Sequence, residues 1–242
     1  MQLKIFSDYE ALSEYAAEAM LAAVERKPDC LIGIVSGDSP RLAYDLFVKK
    51  ALENGVATSQ VCFAGFDEWV GISPENEGSC QAFLHRHVFA PLHLTKENYH
   101  TFDAMSADLP GECERMNAFI AERGGLDLLL VGVGMNGHIG FNEPGVSFDN
   151  YAHVQLLEEI TLQVGQKYFQ EATDLKYGIT LGLRHLMEAR QVLMLANDQK
   201  KAEIMQQALE GPIGNEMPAS IIRSHANSAV LLDVEAAGKL RK

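Results

Sequence analysis

The sequence predicts an α/β fold in which a doubly wound, mostly parallel sheet carries helices on both faces, in the Rossmann-like manner. Three observations predict it. Short apolar runs recur along the chain, and each is continuous enough to be a strand buried on both faces. Patterns with apolar residues at three- and four-residue spacing fill the gaps between them. Strand and helix patterns alternate, which implies parallel strands joined by crossover helices. In chain order, a helix is expected over 9–25, a strand over 30–35 and a helix over 40–53 stopped by Gly55. A strand over 61–66 and helices over 79–89 and 112–123 follow, the last stopped by Gly124. Strands over 126–133, 192–196 and 229–232 complete the sheet, with a helix over 199–209 between the last two. Residues 143–175, which carry Pro144, Gly145, Asp149, Asn150 and Gly165, read as the least regular stretch and as a functional excursion or lid.

The 242 residues are 47% hydrophobic and 22% charged, enough apolar material for a continuous core. With no repeat, low-complexity tract or linker in the chain, residues 1–242 are expected to form one domain. The opening segment, broken by Lys4 and Asp8, does not resemble a signal peptide, and no apolar run approaches membrane-spanning length. A cytoplasmic protein that does not engage a membrane is therefore expected. The four cysteines, Cys30, Cys62, Cys80 and Cys113, form no Cys-x-x-Cys or zinc-type spacing and read as reduced thiols. A formal net charge of −13 with scattered Lys and Arg argues against nucleic acid as a partner. An anionic substrate would need a local positive or dipolar pocket to overcome that field.

Ligands of open α/β sheets bind beyond the carboxyl ends of the strands, and three strand ends carry candidate chemistry. After the first run come Ser36, Gly37, Asp38 and Ser39, then Pro40 and the start of a helix. Gly37 permits a tight turn, Ser39 can cap the helix, and the free amides at its positive end would hold a phosphate. The loop fits neither a P-loop nor a dinucleotide fingerprint, and an ordinary strand-to-helix connection would look similar. After the second run, Asp67 and Glu68 stand beside Trp69, the only tryptophan. Successive side chains point different ways, so one carboxylate at most faces a ligand, where a partly buried acid could serve as a general base. After the third run, residues 132–145 hold five glycines together with Asn136, His138 and Glu143. Glycine at that density costs chain entropy unless something lies close against the loop. His138 can accept and donate a proton near neutral pH, and Glu143 could orient it and stabilise its cation.

These residues resemble the glucosamine-6-phosphate deaminases and their galactosamine-6-phosphate deaminase/isomerase relatives. The stretch Gly134 to Gly145 resembles the family's Gly-His-Ile-Gly-Phe-Asn-Glu-Pro-Gly loop, and 67–71 resembles its Asp-Glu-aromatic-Val-Gly segment. Similarity continues through 180–183, 189–192, Lys201-Ala202 and Glu210-Gly211. Trp69 and segments 78–80, 178–183 and 218–220 resemble the galactosamine branch more than the glucosamine branch, so galactosamine 6-phosphate is the favoured substrate. The related 6-phosphogluconolactonases share the fold but carry a Gly-His-Thr-Ala-Ser-Leu-Phe pattern that this chain lacks. A non-catalytic sugar-phosphate sensor is a further alternative on this fold, disfavoured by the joint presence of Asp67, His138 and Glu143.

The resemblance implies that Asp67 shuttles a proton from C2 to C1 of the open-chain sugar, that His138 supported by Glu143 opens the pyranose ring, and that no metal or organic cofactor takes part. Many relatives carry aspartate where this chain has Asn136; an amide can orient His138 without stabilising its charge, which shifts that role onto Glu143. The phosphate is expected on the 36–39 loop with Lys201. A second family ligand is an arginine before Thr180, but none lies between Arg123 and Arg184, and Lys167 is the substitute taken here. The sequence leaves open whether the chain forms a homo-oligomer.

Overall fold

The computed structural model describes residues 1–241. In chain order the elements are β1 (Gln2–Phe6), α1 (Tyr9–Arg26), β2 (Leu31–Ile34), α2 (Asp38–Glu53), β3 (Cys62–Gly65), β4 (Asp67–Trp69), α3 (Cys80–Leu84), β5 (Tyr99–His100), α4 (Leu109–Glu122), β6 (Leu128–Gly132), β7 (His153–Leu156), α5 (Glu159–Gly165), β8 (Tyr177–Thr180), α6 (Leu183–Glu188), β9 (Val192–Ala196), α7 (Ala202–Glu210) and β10 (Ser228–Asp233). The five expected apolar runs all form strands, and each expected helix is present, although α4 starts three residues early and α3 passes into a π-helical turn at His85–Phe89.

A seven-stranded sheet in the order β1-β10-β9-β6-β2-β3-β5 is parallel throughout. Strands β2, β3, β6, β9 and β10 are almost wholly buried because both faces are covered. One face packs Leu12, Met20, Tyr44 and Phe47 of α1 and α2 against Ile32, Phe63 and Leu130. The other packs Met116 and Ile120 of α4, Leu186 of α6 and Met205 of α7 against Leu129, Val131 and Met194. Each fully buried side chain of this size contributes about 1.5–3 kcal/mol. Asp8 and Asp108 cap α1 and α4 by accepting from Ala11 N (2.8 Å) and Gly111 N (3.0 Å).

Beside this sheet lies a three-stranded antiparallel one, β4-β8-β7. Its register pairs Asp67 with Thr180, and Thr180 in turn with His153. The stretch read as irregular, 143–175, therefore contains β7 and α5, whose four and seven residues are too short to show a period. Under the small sheet, Trp69, Phe141, Phe169 and Leu175 form a separate apolar cluster, with the Trp69 and Phe141 rings 4.6 Å apart.

Chain order places the site. From β2 the chain moves outward to β3 and β5, whereas from β6 it moves the other way to β9 and β10. The switch point thus falls between β2 and β6, and the loops after those two strands splay apart to leave a crevice. Among the described residues, no helix is long and apolar enough to cross a membrane.

Candidate functional site

The crevice is a cleft of roughly 390 Å³ whose walls include Ser36, Gly37, Asp38, Ser39, Asp67, His138, Lys167 and Lys201. One end of it is the turn from β2 into α2. Gly37 has φ of +129°, a value that side-chain-bearing residues rarely adopt, and the turn is tight enough that α2 already begins at Asp38. The capping role expected of Ser39 is thereby corrected: Gly37 is the N-cap and supplies no side-chain bond, while Ser39, the second residue of the helix, donates its hydroxyl to Asn197 Oδ1 (2.8 Å). Free amides at the start of this 16-residue helix face the cleft.

Two lysines approach the same turn. Lys201 Nζ donates to Val133 O (2.5 Å), and burial, with the charge of Lys167, pushes it down to about 8. Lys167, in the turn after α5, pairs with Asp38 Oδ2 at 2.6 Å. Its charge is therefore already matched, whereas Arg41 and Arg86, which also line the cleft, have no acidic partner among the described residues. Arg41 closes the strand-end segment that begins at Ser36 but was given no role there, and Arg86 sits in a predicted helix outside any motif.

Asp67 and Glu68 divide as expected of neighbours in a strand. Asp67 faces the cleft, and its Oδ1 is buried without a partner. Burial, then the charge of Glu68, push its carboxyl up to about 8 against a lowering bond from the Cys80 thiol. The group is more deeply buried than a partly exposed strand end would be, at 9% exposure. Glu68 is fully buried and accepts from the backbone N–H groups of Trp69, Cys80 and Gln81, tying β4 to the start of α3. Cys80, next to Asp67 in the cleft wall, accepts a bond from the Ser36 hydroxyl (3.0 Å) and thereby links this wall to the turn from β2 into α2.

The third wall is the loop after β6. Gly134 lies directly beneath His138, where a Cβ would overlap the imidazole ring, so the glycine permits the ring to fold back over its own loop. His138 Nδ1 is 3.4 Å from Glu143 Oε2 and 3.1 Å from Thr161 Oγ1, which leaves Nε2 as the free nitrogen. Burial pushes Glu143 up, but the hydrogen bond and charge of His138, with Thr161 and Asn136, hold it below the usual carboxylate range. Glu143 lies behind His138 and does not line the cleft, and neither does Asn136. Asn136 does not orient the imidazole ring as expected; its Oδ1 accepts the His138 backbone N–H (3.2 Å), and its Nδ2 donates to Glu143 Oε2 (2.8 Å) and Glu158 Oε2 (2.6 Å). An amide can bridge two carboxylates only by donating, which is what a residue without charge does here. Thr161 and Glu158 lie in or beside α5, inside the stretch read as irregular, and only the folding of that segment over the loop reveals them. Among the described residues, no group of three or more His, Cys, Asp and Glu side chains is arranged to hold a metal ion.

A parallel α/β sheet whose switch-point crevice joins a helix N-terminus, two lysines, a buried carboxyl and a carboxylate-backed histidine defines an enzyme built for proton transfer on a small anionic substrate. The chain belongs to the family of glucosamine-6-phosphate isomerases and 6-phosphogluconolactonases, whose model matches residues 8–231. It is 35% identical over 231 residues to a glucosamine-6-phosphate deaminase of Bacillus velezensis, covering 95% of this chain and 96% of that one. It is 31% identical to the enzyme of the same name from Halalkalibacterium halodurans, covering 96% and 95%. Among solved structures, a monomeric glucosamine-6-phosphate deaminase superposes with a TM-score of 0.95 at 30% identity, covering 99% of this chain and all of that one. The 6-phosphogluconolactonase of Trypanosoma brucei superposes at 0.81 with 18% identity, a likeness of fold alone.

Proposed function

We propose that this enzyme converts a hexosamine 6-phosphate into a ketohexose 6-phosphate and ammonia, with glucosamine 6-phosphate giving fructose 6-phosphate. The observation that carries the reading is the buried Asp67 carboxyl, whose Oδ1 has no partner, in the same cleft as His138 and the helix N-terminus of α2. The phosphate would rest on the 36–39 turn with Lys201, and Lys167 is released to it once Asp38 yields. His138, backed by Glu143, would take the C1 hydroxyl proton and deliver one to the ring oxygen, breaking the C1–O5 bond. Asp67 would then remove the C2 proton and return one to C1, turning the C2–N bond into a protonated imine. Water adds to that carbon, and ammonia leaves as the C2 carbonyl forms.

The names of the relatives support the glucosamine epimer over the galactosamine epimer expected from segment likeness. One observation keeps galactosamine 6-phosphate as a second reading: Trp69 and Gly78 to Cys80, which suggested that branch, line the cleft. The lactonase alternative is supported only by fold. A side-by-side incubation with both hexosamine phosphates and 6-phosphogluconolactone, without added cofactor, separates the readings. Ketose phosphate is expected from the glucosamine epimer; product from the galactosamine epimer alone would reverse the preference. Lactone hydrolysis without ammonia release would refute the deaminase reading.

A further inference from the structure

Asp67 and Glu68 are adjacent buried carboxyls with opposite surroundings. Glu68 Oε1 accepts from Trp69 N (2.9 Å) and Cys80 N (2.9 Å), and Oε2 accepts from Gln81 N (2.8 Å). Burial raises the Glu68 carboxyl, and these three backbone donors oppose that by favouring its charged form. Asp67 Oδ1, by contrast, has no partner. Of the two acids, the one arranged to carry a proton is therefore Asp67. The titratable groups nearest it are Glu68 from β4, the Cys80 thiol from α3 and the Tyr44 hydroxyl from α2. His138, Lys167, Lys201, Arg41 and Arg86 line the same cleft, but among the described residues none of them forms an ion pair with either acid. The unpartnered oxygen of the pair is Asp67 Oδ1, in the cleft wall.

We infer that Glu68 is a positioning residue whose fixed charge holds Asp67 protonated until a cationic group enters the cleft, so that the ammonium of an amino-sugar phosphate creates the base that acts on it. This rests on the hexosamine-phosphate reading above. When the ammonium arrives, Asp67 gives its proton to solvent, and the resulting carboxylate is free to take the proton from the adjacent carbon. A hexose phosphate with a hydroxyl at C2 fills the same space but leaves the base protonated. The pair thus selects amino sugars at the chemical step and not only at binding.

Two unreactive ligands isolate the effect: 2-amino-2-deoxyhexitol 6-phosphate, and the hexitol 6-phosphate with a hydroxyl in place of the ammonium. Titration calorimetry in buffers of different ionisation enthalpy counts protons released on binding, and the shared phosphate cancels in the difference. At pH 7 the wild-type protein is expected to release about one more proton with the amine than with the hydroxyl ligand. The difference should vanish in Asp67→Asn, fall to a small fraction in Glu68→Gln and survive in Glu68→Asp, which keeps the charge. The acid limb of kcat/KM should move down by about one unit or more in Glu68→Gln. A purely structural Glu68 would change affinity for both ligands and leave the proton count and the limb where they are. Equal release with the two ligands in the wild-type protein overturns the proposal without any variant, as does a difference that persists in folded Glu68→Gln. If neither ligand binds, the hexosamine-phosphate reading itself fails.

Discussion

Replacing Asp67 with asparagine keeps the side-chain shape and removes its charge, which separates the chemical role of the group from its cost to the fold. Its carboxyl is pushed from 3.8 to about 8 by burial and by Glu68. That change of about 4 units corresponds to about 6 kcal/mol at ~1.4 kcal/mol per unit. The sign follows from where the proton sits: the unfolded chain loses it near 3.8, whereas the folded chain keeps it until about 8. Unfolding therefore releases a proton in this window, and the wild-type protein loses stability as pH rises through it. Asparagine has no proton to lose. The stability of Asp67→Asn relative to wild type should grow by about 4 kcal/mol between pH 5 and pH 9. Urea unfolding, followed by the fluorescence of the single tryptophan, Trp69, measures it directly. The same variant should lose activity by about 10²-fold or more. A stability difference that stays constant with pH would show that Asp67 ionises freely in the folded protein and would refute the reasoning.

Three further outcomes follow from the other walls. Glu143→Gln should lower kcat by about 10²-fold with little change in KM, because His138 loses the carboxylate that faces its Nδ1 and orients the ring; rate constants at saturating substrate check this. Lys201→Ala should raise KM for the phosphorylated substrate by about tenfold or more, and in the wild-type protein phosphate inhibition should weaken as pH rises through about 8, where Lys201 loses its proton. Gly134→Ala should displace the His138 ring, cutting kcat while thermal unfolding shows the fold intact.

Much of this was legible in the sequence for identifiable physical reasons. Strands β2, β3, β6, β9 and β10 are buried on both faces, so they read as unbroken apolar runs. β1 was not legible because it is an edge strand with Leu3 and Ile5 exposed, and β4 because three residues reading Asp-Glu-Trp look like an acidic turn. The site loops were legible because glycine clusters and strand-end position are local signals. Its supporting residues were not, since Thr161 and Glu158 reach His138 and Asn136 only through the folding of α5 over the β6 loop. The same applies to Lys167: nothing in the sequence shows that Asp38, 129 positions away, would hold it. Substrate epimer is the least legible feature, because a single inverted hydroxyl leaves no periodicity or spacing in a sequence.

The central claim is that Asp67 in this cleft drives loss of ammonia from a hexosamine 6-phosphate. It is tested most directly by measuring ammonia and ketose phosphate together from glucosamine 6-phosphate, with wild-type protein and Asp67→Asn and no added cofactor. The account predicts equal amounts of both products from the wild-type protein and about a hundredfold less of each from the variant. Undiminished release by a folded Asp67→Asn, or no release from either hexosamine epimer by the wild-type protein, would contradict it.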